Sequence, residues 1–440
     1  MSFVMTTTGR PLYLGFEYSL QAAHPGAGAD AFSAAALFNP ASLLAAALAA
    51  EAAAVDFLLL ADTLDSDGTH PASFEPMTLA AYIASHTRRL GLVVSADPNF
   101  AQPFNLARLV ASIDHISHGR AGWNVLSGAS GDARRNHQGV AATLDENVPE
   151  YLDVVRKLWD SWEGDAFLRD KASGVFVRPE KIHAVEHRGP TLAVQGPLNV
   201  ARSPQGQTPV FGYQSPALAG ALAAIDVLRS DAQSAAPALA LREQLDRQRW
   251  PGKVFGDVAV LLASDDHGAW QRLAELDAQL PVDLAALSAQ LGTALPYSAD
   301  QPLAAHQAAA LNASGQALLH SARQRQAQRR EALGLAASGE QPSARQLLQA
   351  RHLPGRLAIG SAQSVARQLL QWAGDSGFDG LTLRPVERPG QLQLFSTQLV
   401  AALVASGELT PQPPAALLQT RLGLQPRANR YASTPEKADA

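Results

Sequence analysis

Short unbroken apolar runs alternate with segments of helical periodicity along most of this 440-residue chain, and that alternation leaves little choice of architecture. A strand that is apolar on both faces must be covered on both faces, and strands joined through helices pair in parallel by right-handed crossovers. Residues 55–61, 90–94, 121–126 and 258–262 read as such strands, with shorter ones at 13–16, 191–194, 209–211, 358–359 and 380–383. Helical patterns at 40–54, 76–85, 103–116, 150–162, 365–373 and 398–406 separate them. The first of these opens with Asn39 as N-cap and Pro40 at the first helical position. About eight strands, most followed by a helix, predict an α/β fold, the (β/α)8 TIM barrel.

Two stretches interrupt the rhythm. Residues 127–190 form a loop excursion far longer than an ordinary strand-to-helix connection. Residues 265–350 read as a helical insertion, polar and rich in Ala, Gln and Arg. The barrel and its insertions are expected to form a single domain over 1–425, followed by a polar tail, 426–440, that frays.

Composition narrows the function. Hydrophobic residues make up 47% of the chain, enough for a large core, and charged residues only 17%, too few for a disordered chain. A net charge of −5 gives no electrostatic case for nucleic acid or an anionic membrane. The absence of cysteine excludes disulfides, thiolate nucleophiles and cysteine-ligated metals, and fits a reducing compartment. Residues 1–10 have no apolar stretch behind a basic start, so no signal peptide is expected. The apolar run 42–50 is stopped by Glu51, too short to cross a bilayer. A cytoplasmic protein is therefore expected. No P-loop, no glycine-rich dinucleotide fingerprint after a strand and no nucleophile elbow occurs.

In a TIM barrel the chemistry gathers at the carboxyl ends of the strands. Asp62 closes the 55–61 strand, Ser95 follows 90–94, and Trp123 and Asn124 stand in 121–126. Singly, each has an ordinary reading: a capping carboxylate, a tolerated hydroxyl, a packed indole. Three successive strands ending in polar groups are more specific than any one of them. His183 and His187 are spaced for a helical metal pair, but Pro179 and Gly189-Pro190 make the segment loop or strand. There the two would lie roughly 13 Å apart. Arg323, Arg325, Arg329 and Arg330 read as the solvated face of an insertion helix.

The segment Ser112-Ile113-Asp114-His115-Ile116-Ser117-His118-Gly119-Arg120-Ala121-Gly122-Trp123-Asn124-Val125-Leu126-Ser127-Gly128 resembles one from the bacterial-luciferase-like flavin-dependent monooxygenases. The similar branch holds the nitrilotriacetate, EDTA and dibenzothiophene-sulfone monooxygenases. Phe57-Leu58-Leu59-Leu60-Ala61-Asp62, Glu75-Pro76-Met77-Thr78-Leu79, Trp159-Asp160-Ser161-Trp162 and Asp170-Lys171-Ala172-Ser173-Gly174 resemble the same family. So do His187-Arg188-Gly189-Pro190, Gly196-Pro197-Leu198-Asn199, Ser203-Pro204-Gln205-Gly206, Gly360-Ser361 and Thr420-Arg421-Leu422-Gly423-Leu424, and the likeness covers nearly the whole chain.

The resemblance implies a barrel that binds reduced FMN supplied by a separate NAD(P)H:flavin reductase. It implies oxygenation of a small organic substrate through a C4a-peroxyflavin, in a homo-oligomer, commonly a homodimer. The cofactor carries the hard chemistry, so no acid/base pair need stand out. Carried over by position, Asp62 and Ser95 would lie at the isoalloxazine ring, with Trp123 and Asn124 beside them. Tyr151 would meet the phosphate or ribityl region, and Ser215 the phosphate. The family's histidine four residues before the tyrosine is Asn147 here, and its Asn-Phe-Gly becomes Asn136-His137-Gln138-Gly139. Its Gln-Ala-Gly-Ser-Ser run becomes Phe211-Gly212-Tyr213-Gln214-Ser215, which places Tyr213 at the ring edge. A deazaflavin-dependent oxidoreductase and a non-catalytic flavin-binding paralogue are alternatives on the same barrel; an unrelated barrel hydrolase is disfavoured by the missing motifs.

Overall fold

The computed structural model describes residues 4–5, 11–19, 24–28, 39–62, 74–126, 147–280, 282–336, 339–353, 355–387, 391–407 and 417–432. Eight parallel strands close into a ring, the predicted barrel. They are β1 (Pro11–Tyr18), β2 (Phe57–Leu60), β3 (Gly91–Ala96), β4 (Ala121–Val125), β5 (Val210–Tyr213), β6 (Val227–Ser230), β7 (Lys253–Leu262) and β8 (Gly380–Pro385). Each pairs in parallel with the next, and β8 returns to β1 through Leu381↔Leu14 and Leu383↔Phe16.

Two expected strands stand outside this ring. Residues 193–194 pair antiparallel with 187–188 in a small hairpin, and Arg356–Gly360 lies alongside β7. The eighth ring strand is β6, which the periodicity reading passed over because only Val227 and Leu228 are apolar in it.

Three aspartates show how strand starts are fixed. Asp56, Asp226 and Asp379 each immediately precede a strand, and each carboxylate accepts a backbone N–H from an adjacent strand. The donors are Leu14 (2.8 Å), Val210 (2.8 Å) and Val254 (2.9 Å). The same three residues donate their own N–H to the carbonyls of those donors. Each aspartate thereby satisfies a strand-end group that the ladder leaves over.

Helices wrap the ring, among them α1 (Pro40–Ala52), α2 (Pro76–His86), α3 (Pro103–Ser117) and α4 (Val148–Asp160). Asn39 caps α1 by accepting from Ala41 N at 3.0 Å, as its position predicts. The outer core lies between ring and helices, with Leu58, Leu92, Val94, Trp123 and Val258 facing Ile83, Leu106, Leu152 and Leu369.

The lumen is solid at its amino end. Tyr13, Phe57, Val93, Phe211, Val227 and Phe255 pack there with Leu418, Leu422 and Leu424. The chain's late segment, including the short helix Leu418–Arg421, thus forms the floor. Phe57 lies edge-on to Phe211 at 5.1 Å and tilted to Phe255 at 5.7 Å. Gly15 leaves the room for this: a Cβ on it would sit 2.1 Å from the Phe57 ring.

The insertion is helical as expected. Its first helix, Asp266–Ala278, packs Trp270 and Leu276 on the barrel's flank beside Leu261 and Leu357. The rest builds its own small core from Leu287, Leu291, Leu319 and Leu347. Arg325 does not lie on a solvated face; it is half-buried, and its Nη1 donates to Gln349 O at 2.9 Å.

The polar tail is pinned as far as the described residues run. Arg427 pairs with Asp226 at 2.8 Å, Asn429 donates to the Asp160 and Trp162 carbonyls, and Tyr431 stacks on His183 at 4.6 Å. No helix among the described residues is long and apolar enough to cross a membrane.

Candidate functional site

Residues 112–126 run from α3 through a turn into β4. His118 and Gly119 both adopt positive φ (57° and 86°), ending the helix, and Gly119 N returns to Asp114 O at 2.8 Å. Asp114 is buried in the last turn of α3. Its carboxylate accepts from Ala121 N, Gln205 N and Gln205 Nε2, and burial pushes its pKa up. Arg120 is 3% exposed and, among the described residues, has no carboxylate within hydrogen-bond reach. It donates five hydrogen bonds, to the carbonyls of Ser117, Leu90, Ala84 and Thr87 and to the Thr87 hydroxyl. Burial lowers its pKa to about 10, so it stays charged at neutral pH. Asp114 and Arg120 are therefore structural ties that fix where β4 begins.

What β4 carries is then placed by strand alternation. Asn124 faces the lumen and Trp123 the helical layer. Asn124 Nδ2 donates to Ser95 Oγ on β3 at 3.0 Å, joining two of the predicted rim residues directly. Asp62 lies at the same rim, half-buried, two residues past the end of β2. Trp123 is fully buried behind the sheet; its Nε1 donates to Ala96 O at 3.3 Å, and its ring lies 6.1 Å from Tyr151 on α4. The Tyr151 hydroxyl donates to Ala101 O at 2.9 Å, and burial raises its pKa. These two aromatics form the wall behind β4 and do not line the lumen.

Asn147 is the N-cap residue of α4 and makes no side-chain capping bond there. Ser215 is the half-buried N-cap residue of a one-turn helix after β5. Tyr213 is half-buried on β5, and its pKa is pushed up by burial and by the nearby charge of Asp231. His183 and His187 bond to different carboxylates, Glu163 (2.9 Å) and Glu150 (3.0 Å). Residues 136–139 lie outside the described residues.

The strand missed in the sequence supplies the centre of the lumen. Arg229, 6% exposed on β6, chelates Asp257 on β7 through Nε (3.0 Å) and Nη2 (2.7 Å). Its Nη2 also meets Glu17 on β1 at 2.6 Å, and its Nη1 reaches Asn124 Oδ1 at 3.5 Å. Burial opposes the Arg229 charge, but Asp257 and Glu17 outweigh it and hold its pKa above the usual value. Burial, reinforced by Glu17 and opposed by Arg229, raises the Asp257 pKa. An arginine in a weakly apolar run gives no periodicity signal. The only legible hint was the repeat of an apolar residue, aspartate, any residue, leucine at 55–58, 225–228 and 378–381.

The site is thus a polar belt, Glu17, Ser95, Asn124, Arg229 and Asp257, set toward the carboxyl end of the lumen above a floor of aromatic rings. Comparison with known proteins matches this barrel. Residues 16–380 fit the family model of the luciferase-like monooxygenases. The chain is 31% identical to the N-acetyl-S-(2-succino)cysteine monooxygenase of Bacillus subtilis (strain 168), over 87% of this chain and 89% of the relative. It is also 31% identical to nitrilotriacetate monooxygenase component A of Aminobacter aminovorans, over 81% and 80%. The EDTA monooxygenase of Chelativorans sp. BNC1 superposes with a TM-score of 0.75 at 25% identity, covering 94% of this chain and 99% of that one. With its barrel, its lumenal polar belt and a family match spanning most of its length, the chain belongs to the luciferase-like monooxygenases.

Proposed function

We propose that this protein is the oxygenating component of a two-component monooxygenase, using reduced FMN delivered by a separate NAD(P)H:flavin reductase to oxygenate a small organic molecule. The observation that carries the reading is the Ser95–Asn124 pair above the aromatic floor. Ser95 accepts from Asn124, so its own O–H proton remains to donate, and it has no acceptor among the described residues. A flavin ring needs such a donor at a carbonyl or ring-nitrogen edge, over an apolar base.

Asp62, Ser95 and Asn124 would hold the ring edge. Tyr213 would flank it, and Trp123 and Tyr151 would stiffen the wall behind β4. The uncapped first turn of α4, at Asn147, and Ser215 would receive the phosphate through N–H and O–H donors. Bound reduced FMN supplies the electrons that activate oxygen. The protein's share is to orient the ring on Ser95 and Asn124 and to keep water away beneath it with Phe57, Phe211 and Phe255.

The test is an anaerobic titration with reduced FMN, with reduced deazaflavin in parallel, followed by admission of oxygen and a separate reductase. Tight binding of reduced FMN, with oxygen incorporated into an added organic sulfide or amine, supports the proposal. Failure to bind reduced FMN removes it.

A further inference from the structure

We propose that the Glu17–Arg229–Asp257 cluster is a substrate subsite for a cationic nitrogen, so that the molecule oxygenated here carries an amine. The inference rests on reading the barrel mouth as the monooxygenase pocket and names what that pocket selects.

The argument begins with charge. One guanidinium stands against two carboxylates, all three on lumen-facing positions of β1, β6 and β7. Asp257 takes the arginine bidentately, and Glu17 takes the same Nη2. Nε and Nη2 of the arginine that could have drawn an anion into the lumen are therefore committed to carboxylates, and the three side chains together carry one negative charge in excess. Burial, with the Glu17 charge adding to it, raises the pKa of Asp257. A further cation, Arg384, stands next on β8 beyond Thr382, and its charge draws the Asp257 pKa the other way.

A second observation points independently to a ligand. Thr382 on β8 is 0% exposed, and its hydroxyl has no hydrogen-bond partner among the described residues. It lies in register with Asp257 on one side and Gly15 on the other, both lumen-facing. A hydroxyl buried without a partner destabilises the fold unless something comes to bond it. A protonated amine, with three donors, satisfies Thr382 Oγ1 and the spare carboxylate oxygens of the cluster together. Arg229 remains the brace that keeps both carboxylates in place. Around the cluster, Ser95, Asn124 and Tyr213 on β3, β4 and β5 are neutral, while Asp231, whose charge raises the Tyr213 pKa, and Asp62 at the rim add further carboxylates.

The experiment is calorimetric titration of the full chain, without flavin, with butylamine, butanol and butyrate. The amine is expected to bind about tenfold or more tighter than the alcohol, the ratio for one charge-assisted hydrogen bond, and butyrate weakest. Glu17→Gln and Asp257→Asn are each expected to erase that preference, with folding checked by circular dichroism and by retained reduced-FMN binding. Butyrate binding as well as the amine, no measurable amine binding, or a preference that survives both substitutions each overturns the inference. Because flavin is left out, a lost amine preference beside intact reduced-FMN binding refutes the subsite alone. Absent reduced-FMN binding refutes the monooxygenase reading instead.

Discussion

Replacing Arg120 with methionine should cost more stability than almost any other single change outside the apolar core. The side chain donates five hydrogen bonds at 2.6–3.2 Å, four of them to carbonyls at the ends of α2 and α3 and at the start of β3. Methionine fills similar volume but donates nothing, leaving up to five acceptors in a site where the arginine is 3% exposed. Removing a hydrogen bond from a charged donor costs about 1.5–3 kcal/mol, and an orphaned buried acceptor about 1–3. Losses within one network do not add, and the desolvation of the buried guanidinium is regained. The net expectation is therefore about 3–5 kcal/mol, a large part of a typical domain's stability. Urea unfolding followed by far-ultraviolet circular dichroism gives the number directly. Arg120→Lys should recover only part of it, since one ammonium cannot reach three carbonyl directions at once. If Arg120→Met loses less than about 1 kcal/mol at unchanged denaturant slope, the view of this arginine as the tie between α2, α3 and β4 is wrong.

Asp56 offers a test by pH. Burial raises its pKa from 3.8 to about 7, so the folded state keeps a proton that the unfolded state releases. Stability should therefore fall as pH rises from about 4 to about 7, by up to about 4 kcal/mol, and level off above. Asp56→Asn should match the parent near pH 4 and exceed it at pH 8; a difference that does not change with pH defeats the assignment. Tyr151→Phe should lose about 1 kcal/mol of unfolding free energy through its bond to Ala101 O, with reduced-FMN affinity nearly unchanged. A tenfold weaker flavin dissociation constant with unaltered stability would instead put that hydroxyl on the phosphate. Gly15→Ala should cost about 2 kcal/mol or more, or prevent soluble expression, since the new methyl would overlap the Phe57 ring. A melting temperature within a degree or two of the parent would contradict the packing described for the floor.

Much of the barrel was legible because doubly buried strands cannot hide their apolar runs: β2, β3, β4 and β7 each overlap a predicted segment. β6 was not, because Arg229 and Ser230 break the run, and what makes them tolerable is a partnership with residues more than 200 positions away in the case of Glu17. The same limit governs the site. Ser95 and Asn124 could be read from their places at strand ends. Trp123 sits one residue from Asn124 yet faces the opposite side of the sheet, which strand alternation alone could have foretold. Tyr151 was singled out by likeness to other proteins and Trp123 by its place in the strand; the two rings lie against each other and donate to backbone carbonyls. Long-range ion pairs leave no periodic trace, so Glu17, Arg229 and Asp257 emerged only once the ring was closed.

The floor of the lumen has a consequence for biosynthesis. Tyr13 near one end of the sequence and Leu418 and Leu422 near the other meet in a single cluster. Every strand of the ring has been synthesised before the leucines that stopper it exist. During that interval the phenyl groups of Phe57, Phe211 and Phe255 lack the leucines that cover them, and the nascent chain is more adhesive than the finished fold.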